Sequence, residues 1–400
     1  MNKIYAKKSL LLSFLLAMFG SQAIAQNSEK ASFTFVNVAD STNGLSAFSK
    51  FPAINNAGAV AFVASGSDKK QGVLRWQESE IATIASESDG LLSSFGDDVV
   101  INATGVVGYD ANLIGGVNDR AIFTSDGVST KTIVDTNQRG LIGRFLGSPS
   151  INASGQVAFF AERKNRSLGV FVGDGETLTV LADTTDSNFR TFGDAAINNS
   201  GEVVFLGFLK DFSPGVFVAR AAKDHTNSVD DTAAPIITVV ADPSSPAFSD
   251  PGVSFEDPVI NARGIVADVA FLSNGNLAVF TGNSRALSLR TDPNSSLFTN
   301  SEHPSINNRG AVAFSADEAS GTRGMFVELT GGASPVAILQ TGDPLFGSTV
   351  TSVSVGRFAL SDSLLLAFEY DLQDGRSGIA VASLRGRSGA EPDWENHDEQ

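Results

Sequence analysis

The chain has 400 residues, no Cys, 3 His, and 44 Asp+Glu against 28 Lys+Arg, for a formal charge of −16. The absence of thiols excludes Cys nucleophiles and Cys-ligated zinc, and the acidity argues against nucleic acid or anionic lipid as a partner. The length exceeds one ordinary core, but a repeat fold adds a core with every unit.

Residues 1–25 read as a secretory signal peptide. Lys3, Lys7 and Lys8 precede an apolar stretch from Leu10 to Phe19, and Ala23-Ile24-Ala25 supplies small residues for cleavage after Ala25. The stretch is too short for a membrane span, and a mature start at Gln26 carries no lipid-accepting Cys. The expected location is secreted or periplasmic, with no membrane anchor. Cleavage leaves 25 Lys+Arg against 44 Asp+Glu, a charge of about −19.

A short motif then recurs: Ile-Asn-x-x-Gly followed by a small apolar run. It appears as Asn55 with Gly58, Asn102 with Gly105, Asn152 with Gly155, Asn198 with Gly201, Asn261 with Gly264 and Asn307 with Gly310. A worn seventh copy sits at Leu360-Ser361, with Leu364 in place of the Gly. The intervals between copies are 47, 50, 46, 63, 46 and 54 residues, a period that points to a propeller or a solenoid. The third copy decides between them. Pro149 to Asn152 ends one strand, Asn152 to Gly155 is a tight turn, and Gln156 to Ala161, Gly169 to Gly173 and Leu178 to Leu181 are three more strands. Four short-looped strands per unit make a propeller blade. In the turn, Asn bonds the backbone two residues on and Gly accepts a positive φ.

The third strand recurs seven times, but the fourth only six. The missing copy lies at the other end of the chain, where Phe33 to Asp40 resembles Thr179 to Asp183. The prediction is therefore an all-β, seven-bladed propeller domain over 26–386. Residues 33–39 close it as the outer strand of the blade whose other strands lie in 352–382. A polar insertion at 221–235 is expected to protrude as a loop. The acidic tail, 387–400, lacks periodicity and is expected to be disordered.

Asn55/Gly58/Phe62, Asn152/Gly155/Phe159, Asn198/Gly201/Phe205 and Asn307/Gly310/Phe314 share the spacing Asn-x-x-Gly-x-x-x-Phe. Tyr109 takes the last position in the second copy and Asp268 in the fifth, where a bulge or register shift is expected. This pattern resembles the bacterial exported NxxGxxxF tandem-repeat family. The resemblance implies export and a propeller-like fold, and it transfers no catalytic residue. Members with C-terminal anchors differ from this chain, which has no apolar segment after Arg387.

Candidate site residues come from the loops between second and third strands, which hold Lys69, Lys70, Arg120, Arg163, Lys164, Arg166, Lys210, Arg323 and Arg376. Arg120, Arg163, Lys164, Arg166, Lys210, Arg323 and Arg376 are taken as the binding set, a mixed-charge rim able to grip carbohydrate carboxylates. The alternative is a solvated loop surface. Asp40, Asp135, Asp183, Asp242, Asp292 and Asp343 recur where fourth strands exit. They could ring a Ca²⁺, but capping of their own turns is the favoured reading; no cofactor is required. Asp126-Gly127 and Asp174-Gly175 are expected to be type I′ turns. Phe48, Phe95, Phe145, Phe192, Phe255 and Phe298 are expected to pack between blades. His303 shares its repeat position with Ser148, Asp194 and Asp257 and reads as a turn residue.

The leading expectation is a monomeric, non-enzymatic binding or scaffold module for a surface carbohydrate or an envelope protein. The alternative is a carbohydrate-active hydrolase or lyase working in the central channel. Paired carboxylates beside an Arg in that channel would favour the enzyme, and a small apolar lining would favour the binder.

Overall fold

Each Asn-x-x-Gly segment closes the turn between the first and second strands of a blade. Gly58, Gly105, Gly155, Gly201, Gly264 and Gly310 take φ between +74° and +90°, and Leu364 adopts +60° in their place. Gly is favoured here, because a side chain in that region is strained. In the computed structural model, residues 33–384 are described except 116–118, 138–140, 186, 222–233, 249 and 330–333. The signal segment, most of the 221–235 insertion, the acidic tail, His225 and His397 lie outside the described residues.

The strands form seven antiparallel sheets, the blades of a β-propeller. Blade 1 runs Ala53–Ile54, Val60–Ser65, Gln71–Gln77, Glu80–Ser86. Blade 4 has a long inner strand, Phe189–Ile197, followed by Val203–Leu209, Pro214–Arg220 and Ile236–Ala241. Blade 7 combines Ser348–Ser354, Leu365–Leu372 and Ser377–Ser383 with the N-terminal strand Thr34–Asp40. The closing strand pairs antiparallel with the third, Thr34 opposite Ser383 and Asp40 opposite Gly378. The Tyr370 hydroxyl donates to Asn37 across this junction at 3.1 Å.

The core lies between blades. Ile122 and Ile133 of blade 2 cluster with Phe145, Val157, Phe159 and Phe171 of blade 3. Within that group Phe159 stacks on Phe171 at 5.4 Å and takes the edge of Phe145 at 5.7 Å. The pattern repeats as Phe192, Phe205 and Phe217, and as Phe298, Phe314 and Phe326. Of the Phe residues before the first strands, Phe95, Phe145, Phe192, Phe255 and Phe298 are core, as expected, and Phe48 is half-buried against it. Fully burying each ring contributes roughly 1.5–3 kcal/mol.

Two local expectations are corrected. The second strand of blade 5 has no bulge: Val266 to Phe271 pairs without interruption from Gly282 to Leu277, with Asp268 facing Phe280. The polar residue is accepted in ordinary strand geometry, so the anomaly is chemical rather than conformational. The Asp-Gly hairpins are not type I′, because only Gly127 (+94°) and Gly175 (+88°) are left-handed there. The Asp126 and Asp174 carboxylates accept the backbone N–H groups two and three residues on.

The motif Asn does more than shape a turn. Its Oδ1 accepts two N–H groups of its own turn, while its Nδ2 donates to the backbone carbonyl of the equivalent residue in the next blade. The chain of bonds runs from Asn55 to Asn102, Asn152, Asn198, Asn261, Asn307 and Ser361, at 3.0–3.3 Å. Ser361 has no amide to continue it. Asp362 covers the seam, accepting from Asn308 and Asn56 while its N–H donates to Asn56 Oδ1 at 2.8 Å.

Candidate functional site

In blades 2 to 6 the innermost strand is broken or shifted a few residues before the motif position. Blades 2, 3 and 5 split there into two segments, and blades 4 and 6 slip register between Phe192 and Ala195 and between Glu302 and Ser305. Such a bulge re-aims side chains, here toward the ring's centre. The residues four before each motif Asn, or before Ser361 in the last copy, are Phe51, Asp98, Ser148, Asp194, Asp257, His303 and Arg357. They meet across the ring. Arg357 of blade 7 reaches Asp194 of blade 4 at 3.1 Å and Pro258 O of blade 5 at 2.9 Å. Phe51 of blade 1 packs edge-on against His303 of blade 6 at 5.4 Å. His303 is therefore a channel residue, not a turn residue: the bulge, which has no sequence signature, turns it inward.

Lys50, Asp97, Glu256 and Glu302 stand one residue earlier. The mouth thus carries acids at 97, 98, 194, 256, 257 and 302 around Arg357. Some of them bond across blades. Asp194 accepts the Ser148 N–H at 3.2 Å, Asp257 accepts the Asp194 N–H at 2.9 Å, and Ser148 Oγ donates to Asp98. What remains open beside them is a small cavity bounded by Phe51, Asp98, Ser148, Arg357 and Phe358. Burial lifts the Asp194 carboxyl to about 6, against the pull of Arg357 and with a push from Asp257. Glu256 is raised by burial and by Asp257 and Glu302. Burial, then Arg357, lowers His303, and the surrounding carboxylates oppose them. Asp268, wholly buried behind this group, is raised well above the usual carboxylate range by desolvation.

Of the residues expected to form a binding rim, Lys164, Arg166, Lys210 and Arg376 lie in the loops between second and third strands, whereas Arg120, Arg163 and Arg323 are the strand-end residues flanking them, and most are paired locally. Arg120 pairs with Asp110, Arg163 with Asp183 at 3.3 Å, Arg166 with Glu162 at 3.0 Å and Arg376 with Asp374 at 2.7 Å. Lys164 and Lys210 are exposed. Arg323 alone of this set joins the channel mouth, pairing with Glu302 and with Asp317 at 3.1 Å. The Asp residues at the strand exits cap their own turns: each takes a nearby backbone N–H, as in Asp40 from Thr42 and Asp292 from Asn294.

The repeat glycines belong to neither the rim nor the channel mouth. The N–H groups of Gly58, Gly105, Gly201 and Gly310 each close a turn by donating to the carbonyl of their own motif Asn, at 3.0–3.1 Å. Their role is conformational, and they supply no side chain to a site. Gly105 makes one further bond, its carbonyl accepting from Arg75 at 2.7 Å. Gly264 closes its turn in the same way, and it also borders an open surface cleft with Glu202 and Arg220. Sequence reasoning missed Arg357, Asp98 and the interblade role of the motif Asn.

Residues 24–214 match the model of a family of unknown function, DUF7453. No curated protein matches the chain. Among solved structures, an oligogalacturonate lyase in complex with manganese is similar at TM-score 0.56 and 11% identity, over 88% of this chain and 98% of that one. An oligogalacturonate lyase from Vibrio parahaemolyticus is similar at TM-score 0.51 and 13% identity, over the same shares. Prolyl oligopeptidase B from Galerina marginata, bound to a 35mer substrate, is similar at 0.53 and 11%; the match covers 82% of this chain but 47% of that enzyme. At these identities the likeness shows a shared propeller fold and nothing about chemistry.

Proposed function

We infer that the chain is an exported, monomeric binding module that recognises a surface carbohydrate through the face bearing the loops between second and third strands. One observation carries the reading. Arg120–Asp110, Arg163–Asp183, Arg323–Asp317 and Arg376–Asp374 set a guanidinium against a carboxylate in four blades, from different repeat positions, at or beside the loops between second and third strands. Adjacent fixed donors and acceptors suit sugar hydroxyls, and because these cations are already paired, neutral glycans suit them better than polyanions. The Arg357–Asp194 pair crosses the ring and leaves a small cavity beside it, which favours an outer surface over the channel. Export rests on the signal-like residues 1–25 and on the resemblance to the bacterial exported NxxGxxxF repeat family. N-terminal sequencing of the mature protein should begin at Gln26.

Glycan-array binding by the purified protein, compared with Arg120→Ala and Arg376→Ala, tests the reading. Binding that falls in both variants supports it. Absence of glycan binding, with an envelope protein retained instead, replaces it by a scaffold role.

The second reading is a carbohydrate-active hydrolase or lyase, as the named oligogalacturonate lyases are. Asp194, with its carboxyl near 6, and Asp257 beside Arg357 and His303 are the observation that favours it. Release of reducing ends or unsaturated products from polysaccharide, abolished by Asp257→Asn, would establish it over the binding role.

A further inference from the structure

Glu256, Asp257 and His303 stand within chelating range. One carboxylate oxygen of each acid and a ring nitrogen of His303 lie within 4.8 Å of one another. Neighbouring ligands on one ion with bonds of about 2.1 Å are about 3.0–3.4 Å apart, so rotamer adjustments that draw the three groups inward bring them onto one centre.

Two orphaned atoms point to a ligand there. The His303 Nδ1 is shielded from solvent and has no hydrogen-bond partner among the described residues. Asp268 is 0% exposed; its Oδ1 takes the Val269 N–H at 2.7 Å and its Oδ2 has no partner. The register fixes where Asp268 lies. Phe255 pairs with Ala270 and Val259 with Ala267, so Asp268 and Val269 sit opposite the bulge at 256–258. Glu256 N–H closes on Val269 O at 3.2 Å. Alternation along the strand puts Asp268 on the side of Val266 and Ala270, which packs against blade 4. Asp257 turns to the same side, toward the Asp194 N–H. Packing gives no reason for this residue: it replaces the ring that fills the same position elsewhere with a polar oxygen that is costly to bury.

We propose that Glu256, Asp257 and His303 bind a divalent first-row transition ion at the channel mouth, with Asp268 as the inner carboxylate behind them. Two carboxylates and one imidazole suit Mn²⁺, Fe²⁺ or Zn²⁺ better than Ca²⁺, which takes six to eight oxygens. Three protein ligands leave coordination positions open to water or to a ligand's oxygens. The inference goes beyond the carbohydrate reading and is read by metal binding alone, so either can fail without the other.

The test uses chelator-stripped full-length protein titrated with MnCl₂ by electron paramagnetic resonance and with ZnCl₂ by calorimetry, with CaCl₂ as the contrasting ion. One equivalent of Mn²⁺ or Zn²⁺ should bind more tightly than Ca²⁺ and raise the melting temperature. Glu256→Gln and His303→Gln should each weaken binding about tenfold or more, and Asp268→Asn should weaken it as well, while exposed Glu80→Gln leaves it unchanged. If His303→Gln fails to fold, as judged by circular dichroism, Glu256→Gln decides. No stoichiometric Mn²⁺ or Zn²⁺ binding, preference for Ca²⁺, or equal binding in wild type and Glu256→Gln overturns the proposal.

Discussion

Replacing Asn261 by Asp separates the two jobs of the motif side chain. Asn261 is 5% exposed, its Oδ1 accepts from Arg263 and Ile265 N–H at 3.0 Å, and its Nδ2 donates to Asn307 O in the next blade at 3.0 Å. Asp keeps both acceptor bonds but sets an oxygen against the Asn307 carbonyl. Ala loses all three bonds, at about 1 kcal/mol each, or about 3 kcal/mol in total. Asp loses one bond and adds a buried repulsion, about 2 kcal/mol at pH 7. About 330 ordered residues at about 2.1 cal/mol/K each give an unfolding entropy of about 0.7 kcal/mol/K, so the melting temperature should fall by about 4 °C for Asn261→Ala and about 3 °C for Asn261→Asp. The introduced carboxyl has its folded pKa raised above its unfolded value. Its penalty is therefore absent below about pH 4, where the protonated group can donate to the carbonyl, and it grows as pH rises through the folded pKa. Asn274, exposed and capping only its own turn through Asn276 N–H, is the control, and Asn274→Asp should melt with the wild type. Scanning calorimetry at pH 4.5 and 7.5 reads all three. If Asn261→Asp melts within 1 °C of wild type at pH 7.5, the amide is only a turn residue and the interblade clasp is wrong.

Glu369 is 6% exposed, and burial, then Asp371, pushes its carboxyl up to about 8. A raised folded value costs stability as pH climbs from about 4.5 through 8, so Glu369→Gln should stabilise by roughly 5 kcal/mol at pH 9 and by nothing at pH 4; equal melting curves at pH 9 would refute this. Arg357→Met leaves Asp194 buried without its cation and should cost about 3–5 kcal/mol at pH 8. The loss should shrink at pH 5, where Asp194 takes up a proton; a loss independent of pH would show that packing alone is at stake. A chain beginning at Ser41 lacks the strand that pairs with 378–383. It should unfold or associate through the exposed edge, and a peptide of residues 33–40 added in trans should restore the wild-type circular dichroism spectrum; a native spectrum without the peptide would refute closure as a requirement.

Seven blades and their closure were legible in the chain itself, because local patterns suffice for both. The Asn-x-x-Gly turns set the period, strand alternation fixed four strands per unit, and a shortfall of one fourth strand pointed to Phe33 to Asp40. The channel was not legible. Its residues at Phe51, Asp98, Ser148, Asp194, Asp257, His303 and Arg357 vary from blade to blade, so they show no period to find. In blades 2 to 6 their inward aim comes from a break or register shift with no residue preference, and Arg357 meets Asp194 across 163 positions of chain only once the ring has closed. The second role of the motif Asn was hidden for the same reason. A turn is a local hydrogen-bonding decision that a few neighbouring residues can express, whereas a bond to the next blade exists only when tertiary packing brings two turns side by side.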